Sequence, residues 1–185
     1  MRAQLYRLLA YFLHKPVDRE GLKIAAAMEG GDTDLGQAID TLARIAAKSE
    51  PEAVAQEYQD LFIGVGRGEL LPYGSYYLTG FLNEKPLAKL RNDMARLGIE
   101  RRENVKEPED HIAALCEMMS GLITGEFDAV ADLERQKTFF NAHVGSWASH
   151  FFTDLEAAES SVLYGAIGSV GRRFMAIEEV AFAMD

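Results

Sequence analysis

Apolar residues return at three- and four-residue intervals along most of this chain, and no run shows the strict apolar-polar alternation of half-buried strands. That periodicity confines the fold to helices packed on helices. Leu5, Leu8, Leu9 and Phe12 repeat this way and stop before Pro16, and Leu35, Ile39, Leu42 and Ile45 follow the turn-rich Gly30-Gly31-Asp32-Thr33. Val54, Tyr58, Leu61 and Phe62 form a further face, as do Leu87, Leu90, Met94 and Leu97. Ile112, Leu115, Cys116, Met119 and Leu122 form another; Val130 to Leu155 marks one long helix or two joined ones; Leu163 to Ile177 marks the last. The expectation is an all-α fold, residues 1–185 as a single compact helical bundle, with a hinge in the polar connection near 99–106.

Local punctuation refines this pattern. Ser49 and Glu52 read as a capping box with Pro51 in the first turn, and Asn83 reads as the cap of a helix closed by Gly98. Gly64 to Gly80 reads as a loop carrying Tyr73, Tyr76 and Tyr77. The formal net charge of -10 opposes broad nucleic-acid binding, which needs clustered Lys and Arg. One cysteine, Cys116, excludes an internal disulfide and a thiolate-rich zinc site; among Ile112, Leu115 and Met119 it reads as a buried small hydrophobe. No apolar run is long enough to span a bilayer and no cleavage site follows the basic N-terminus, so the expectation is a cytoplasmic protein without stable membrane insertion.

Glu107-Pro108-Glu109-Asp110-His111 concentrates the polar chemistry. Acids and a proline suit the first turn of a helix, which accounts for four of the five residues and leaves His111 without a capping duty. Catalytic and metal readings fare poorly on spacing. His111 and Glu117 are six apart and fall on different helix faces, and Leu115 stands where a zinc protease needs its second histidine. Gly64-x-Gly66-x-Gly68 follows a helix, not a strand, and lacks the lysine of a P-loop. Ser75 is not in a nucleophile elbow, and an Asp110-His111-Ser75 triad would need adjacent side chains to converge. A binding groove uses the same residues more economically: aromatic rings for apolar contact, and Glu107, Glu109 and Asp110 for a basic ligand.

In order along the chain, Tyr6-x-Leu8-Leu9-Ala10-x-Phe12, Glu57-Tyr58-x-x-Leu61-Phe62-x-Gly64, Pro72-x-x-Ser75-x-Tyr77, Glu107-Pro108-x-Asp110-His111 with Glu117, and His143-x-x-x-Trp147-x-x-x-Phe151 resemble the TorD/DmsD family of redox-enzyme maturation chaperones. The resemblance implies a non-enzymatic cytoplasmic chaperone. Its partner would be the precursor of a molybdopterin oxidoreductase catalytic subunit, bound through the twin-arginine signal peptide and held back until its cofactor is inserted. Signal-peptide binding is implied for Tyr58, Leu61, Phe62, Pro72, Ser75, Tyr77, Asp110 and His111, with Gly64, Glu107, Pro108 and Glu117 as the supporting motif. Val65 stands where the family commonly has proline. The resemblance raises guanine nucleotide binding and a domain-swapped dimer as traits of some members, and leaves a monomer equally open. The alternatives are a nitrate-reductase-type assembly chaperone for a membrane-associated molybdoenzyme, and a small nucleotide hydrolase using Asp110 and His111.

Overall fold

In the computed structural model, which describes residues 1–101, 105–127 and 129–184, the chain is all-α. Its helices are α1 (Arg2–His14), α2 (Arg19–Ala26), α3 (Asp34–Ala46), α4 (Pro51–Tyr58), α5 (Gly74–Thr79), α6 (Lys85–Arg96), α7 (Ile112–Thr124), α8 (Leu133–His143), α9 (Ala148–Ala157) and α10 (Leu163–Ala183). α4 runs directly into a π-helical turn, Gln59–Ile63. Among the described residues β-type pairing is limited to one isolated antiparallel bridge, between Tyr73 and His111. No described helix is long and apolar enough to cross a membrane.

The chain divides into two units, each assembled from separate stretches: Met1–His14 with Pro72–Ala148, and Lys15–Leu71 with Ser149–Asp185. The connection expected to hold a hinge, 99–106, lies partly outside the described residues. In the first unit α1 packs on α7, burying Tyr6, Leu9 and Phe12 with Ile112, Leu115 and Met119. α7 is apolar nearly all round, which is the pattern of a helix enclosed by neighbours. Cys116 on this helix is fully buried, and burial pushes its thiol well above the ordinary range, so it packs as a hydrophobe. In the second unit α10 packs against α3 and α4. Gly168 and Gly171 let α10 approach α9 closely: a Cβ on Gly171 would stand 2.3 Å from ring carbons of the buried Phe152.

Several local expectations are corrected. α2 forms where the apolar repeat is too short to read, because the Asp18 carboxylate caps it by accepting the Gly21 N–H at 2.9 Å. Ser49 is not the cap of α4: its hydroxyl donates back to the Ile45 carbonyl at 2.9 Å, and Glu50, before Pro51, occupies the cap position without a side-chain bond. Glu84, not Asn83, precedes α6, and Asn83 takes a left-handed φ of 60°. The expected loop 64–80 contains α5. Of the two readings open for 130–155, the second holds: α8 and α9 are two helices, and at the break a Cβ on Gly145 would come within 2.7 Å of the Phe140 ring.

Gly171 supplies a test of the close helix approach. Helix propensity alone would make Gly171→Ala stabilising by about 0.8–1 kcal/mol. Overpacking against the enclosed Phe152 ring costs about 1–3 kcal/mol. Urea denaturation is expected to show a net loss of stability for Gly171→Ala; a gain would mean that Phe152 moves freely and the packing is loose.

Candidate functional site

α7 starts at Ile112, five residues later than its acidic leader suggests, and the reason lies in a pairing with a distant segment. The Gly74 N–H donates to the Asp110 carbonyl and the Ile112 N–H to the Pro72 carbonyl, each at 2.9 Å, which holds Asp110–Ile112 beside Pro72–Gly74. A residue held extended cannot join a helix, so His111, at φ -62° and ψ 136°, becomes the residue before it. There it takes the capping duty that its sequence position seemed to deny: Nδ1 accepts the Ala113 N–H at 3.1 Å. Burial, with a smaller contribution from His14, lowers its pKa from 6.5 to about 4, which keeps the ring neutral and Nδ1 free to accept.

Asp110 serves the other partner. Tyr73, at the head of α5, gives that helix no side-chain cap, and Asp110 Oδ2 accepts the Ser75 N–H at 2.7 Å instead. Asp110 is 3% exposed; its Oδ1 and the Ser75 hydroxyl are both buried without a partner. Around this joint the Tyr73 ring meets the His111 ring edge-on, and its hydroxyl donates to Glu107. Glu109 is bound by Arg91 at 2.8 Å and Arg101 at 3.6 Å. Desolvation pushes its carboxyl upward, but the Arg91 hydrogen bond and the two arginine charges outweigh it and hold the group low.

α5 is seated from its other side by Trp147. Tyr77 packs on the indole with centroids 5.4 Å apart, and a Cβ on Gly74 would lie 3.0 Å from Trp147 Nε1. Trp147 Nε1 donates to the His143 carbonyl at 2.8 Å, while His143 Nε2 bonds Asp93 Oδ2 at 2.8 Å. Desolvation lowers the pKa of His143 despite that carboxylate.

The second unit holds a separate constellation. Tyr58, Phe62 and Tyr164 form a ring cluster with centroid distances of 4.9, 5.6 and 5.7 Å. Tyr58 and Phe62 are half-exposed, whereas Leu61 is fully buried and anchors the π turn. Gly64 closes that turn at φ 60° and ψ -177°, a conformation only glycine adopts readily, and a Cβ would stand 2.0 Å from the Arg67 carbonyl oxygen. Burial raises the pKa of Tyr164, whose hydroxyl accepts the Val17 N–H at 3.1 Å. Glu57 accepts the N–H groups of Val162, Leu163 and Tyr164 at 2.7, 3.1 and 2.7 Å.

The residues singled out from sequence thus fall into two sets. Pro72, Ser75, Tyr77, Glu107, Pro108, Asp110 and His111 come together in the first unit, and Tyr58, Leu61, Phe62 and Gly64 in the second. Glu117 stands exposed on α7. A triad is not built: Asp110 Oδ2 and His111 Nδ1 are each engaged by a backbone N–H. The structural work of Glu57 and Tyr164 was not legible beforehand, although Glu57 heads one of the matching motifs.

Comparison with known proteins places this architecture. A crystal structure described as a redox enzyme maturation protein, from Archaeoglobus fulgidus, shares the fold with a TM-score of 0.62 and 23% identity over 95% of this chain and 94% of its own. The family model described as nitrate reductase delta subunit matches residues 29–153, and the chain belongs to that family. Among similar curated proteins, the chaperone protein TorD of Vibrio atlanticus (strain LGP32) is 26% identical over 190 residues, covering 91% of this chain and 88% of the relative. The TorD of Aliivibrio fischeri (strain ATCC 700601 / ES114) is 31% identical over 106 residues, covering 53% and 49%.

The buried imidazole sets a pH dependence. Native His111 takes up its proton near pH 4 and the unfolded residue near 6.5, so between those values the unfolded state holds more protons. The stabilisation is complete above pH 6.5 and is lost on acidification through that window, by about 3 kcal/mol in all. His111→Asn keeps a capping acceptor but does not titrate. Urea denaturation from pH 7 to 4.5 is expected to show a steeper loss for the wild type than for His111→Asn; parallel losses would disconnect the ring from the acid response.

Proposed function

We propose that this chain is a cytoplasmic chaperone that binds the twin-arginine signal peptide on the precursor of a molybdopterin oxidoreductase catalytic subunit and assists cofactor insertion before export. The observation that carries this reading is the joint between Pro72–Ser75 and Asp110–Ile112, which turns two separate motifs into one rigid, ring-bearing surface. Relatives named TorD chaperones, matched across most of the chain, support it.

The chain acts by binding and not by catalysis. Tyr73, Tyr76 and Tyr77 are half-exposed and offer ring faces to an apolar segment; on the second unit Tyr58 and Phe62 offer the same. Glu107 is exposed at the rim, where a charge-assisted bond can attract an arginine of the signal. Asp110 and His111 are buried by comparison, and their part is to fix the backbone that carries the tyrosines. This revises the expectation that all the acids meet the arginines directly, because Asp110 is committed to α5 and Glu109 to Arg91.

A second reading has its own support in the family model, described as nitrate reductase delta subunit: an assembly chaperone whose client is membrane-associated and needs no twin-arginine leader. Titration calorimetry with a synthetic twin-arginine signal peptide separates the two. Binding is expected, with Phe62→Ala and Asp110→Ala each weakening it about tenfold, since the latter leaves the Ser75 N–H without its acceptor at a cost of about 1–3 kcal/mol. Absence of binding, with capture of a leaderless client subunit, would favour the second reading. Unchanged affinity in both variants would remove these surfaces from the site.

A further inference from the structure

The turn leading into α10 presents backbone N–H groups that its own side chains do not satisfy. Val162 precedes the helix without a side-chain cap, and the hydroxyl of Ser161 is buried without a partner. Two carboxylates from one distant stretch fill the deficit. Glu69 accepts the N–H groups of Glu159 and Ser160 at 2.7 and 3.2 Å, and Glu57 accepts those of Val162, Leu163 and Tyr164. Successive N–H groups at the start of a 21-residue helix form a concave anion site, reinforced by the helix dipole, so a carboxylate held there is hard to displace.

The two acids stand on either side of Leu61-Phe62. Glu57 precedes the π turn; Glu69 follows the glycine-rich strap, whose backbone folds back so that the Glu69 N–H donates to the Asp60 carbonyl at 3.1 Å and the Leu70 N–H to Leu61 at 2.8 Å. Gly64 N–H reaches the Gln59 carbonyl at 2.7 Å within the turn. The stretch from 57 to 70 is therefore clamped at both ends onto one anion-seeking turn, and Phe62 and Tyr58 against Tyr164 are what the clamp holds in place. Ile63, Val65 and Val162 are large apolar side chains left exposed around it, at 52%, 107% and 65%. Such exposure is consistent with a contact surface.

We infer that Glu57 and Glu69 are positioning residues: seated in the N–H cradle at 159–164, they set the presentation of Tyr58 and Phe62 to the client without touching it. This rests on the chaperone reading for its second half only. Desolvation pushes the Glu69 carboxyl up, but its bonds to Glu159 and Ser160 outweigh this and hold it below the ordinary range, so it is ionised in its seat at neutral pH.

The test uses the full chain with Glu57→Gln, Glu69→Gln and the double variant. A carboxamide keeps the shape but turns one acceptor into a donor facing N–H groups. Hydrogen exchange read without any peptide is expected to speed up at least tenfold at Gly64, Glu69 and Leu70 in the double variant; unchanged exchange there overturns the clamp, whatever the client proves to be. With the signal peptide, each variant is expected to bind several-fold more weakly, with the slope of log Kd against log salt unchanged. A flattened slope would place the carboxylates in direct contact with the peptide's arginines and overturn positioning. Wild-type affinity in variants with faster exchange would overturn it equally. Glu69 is exposed, so Glu69→Gln stays folded and readable even if Glu57→Gln does not. Failure of the wild type itself to bind refutes the signal-peptide reading and leaves the exchange result to judge the clamp.

Discussion

Of the described helices that begin without a side-chain cap of their own, two, α5 and α10, are completed by a carboxylate from far along the chain. α5 is completed by Asp110, 35 residues away, and α10 by Glu57, more than a hundred residues away. Orphan N–H groups at a buried helix start are costly unless an acceptor reaches them, and an ionised acceptor is the strongest available. Each carboxylate therefore does more than end a deficit. Asp110 ties the aromatic segment 72–77 to the start of α7, and Glu57 ties the Leu61-Phe62 turn to the start of α10. The proposed binding rings sit on these joints.

This arrangement changes what the acids of the chain mean. A net charge of -10 and an acidic run at 107–110 suggest a surface waiting for a basic ligand. In the folded chain the carboxylates are graded by burial. Asp110 and Glu57 are enclosed and serve the backbone; Glu109 is paired with Arg91 and Arg101; Glu107 is exposed beside the Tyr73 hydroxyl and is the acid that the proposed reading leaves for an incoming cation. Charge count alone would overstate the electrostatic attraction and understate the rigidity that the same residues confer.

His111 follows the same logic. A histidine beside an aspartate invites a catalytic interpretation, yet each member of the pair faces a different backbone N–H, and burial keeps the ring neutral. The pair is a fastening between two segments. That is what the proposed recognition surface requires, because a mobile platform would lose affinity to ordering entropy on binding.

The sequence by itself determined the helical class, most of the longer helices and the set of motifs from which the site is drawn. That information is local: one buried face repeats every three or four residues, and α3, α6, α7 and α10 are long enough to show it. α2 and α5, at 8 and 6 residues, are too short for the repeat to stand out. Only the tertiary structure decided where helices begin when two acceptors compete. Ser49 turned back to Ile45, and the pairing of Tyr73 with His111 moved the start of α7 from the acidic run to Ile112. It also decided that Asp110 and Glu57 are structural acceptors, because their partners are backbone N–H groups, which carry no side-chain signature in a sequence and become identifiable only once distant segments lie side by side.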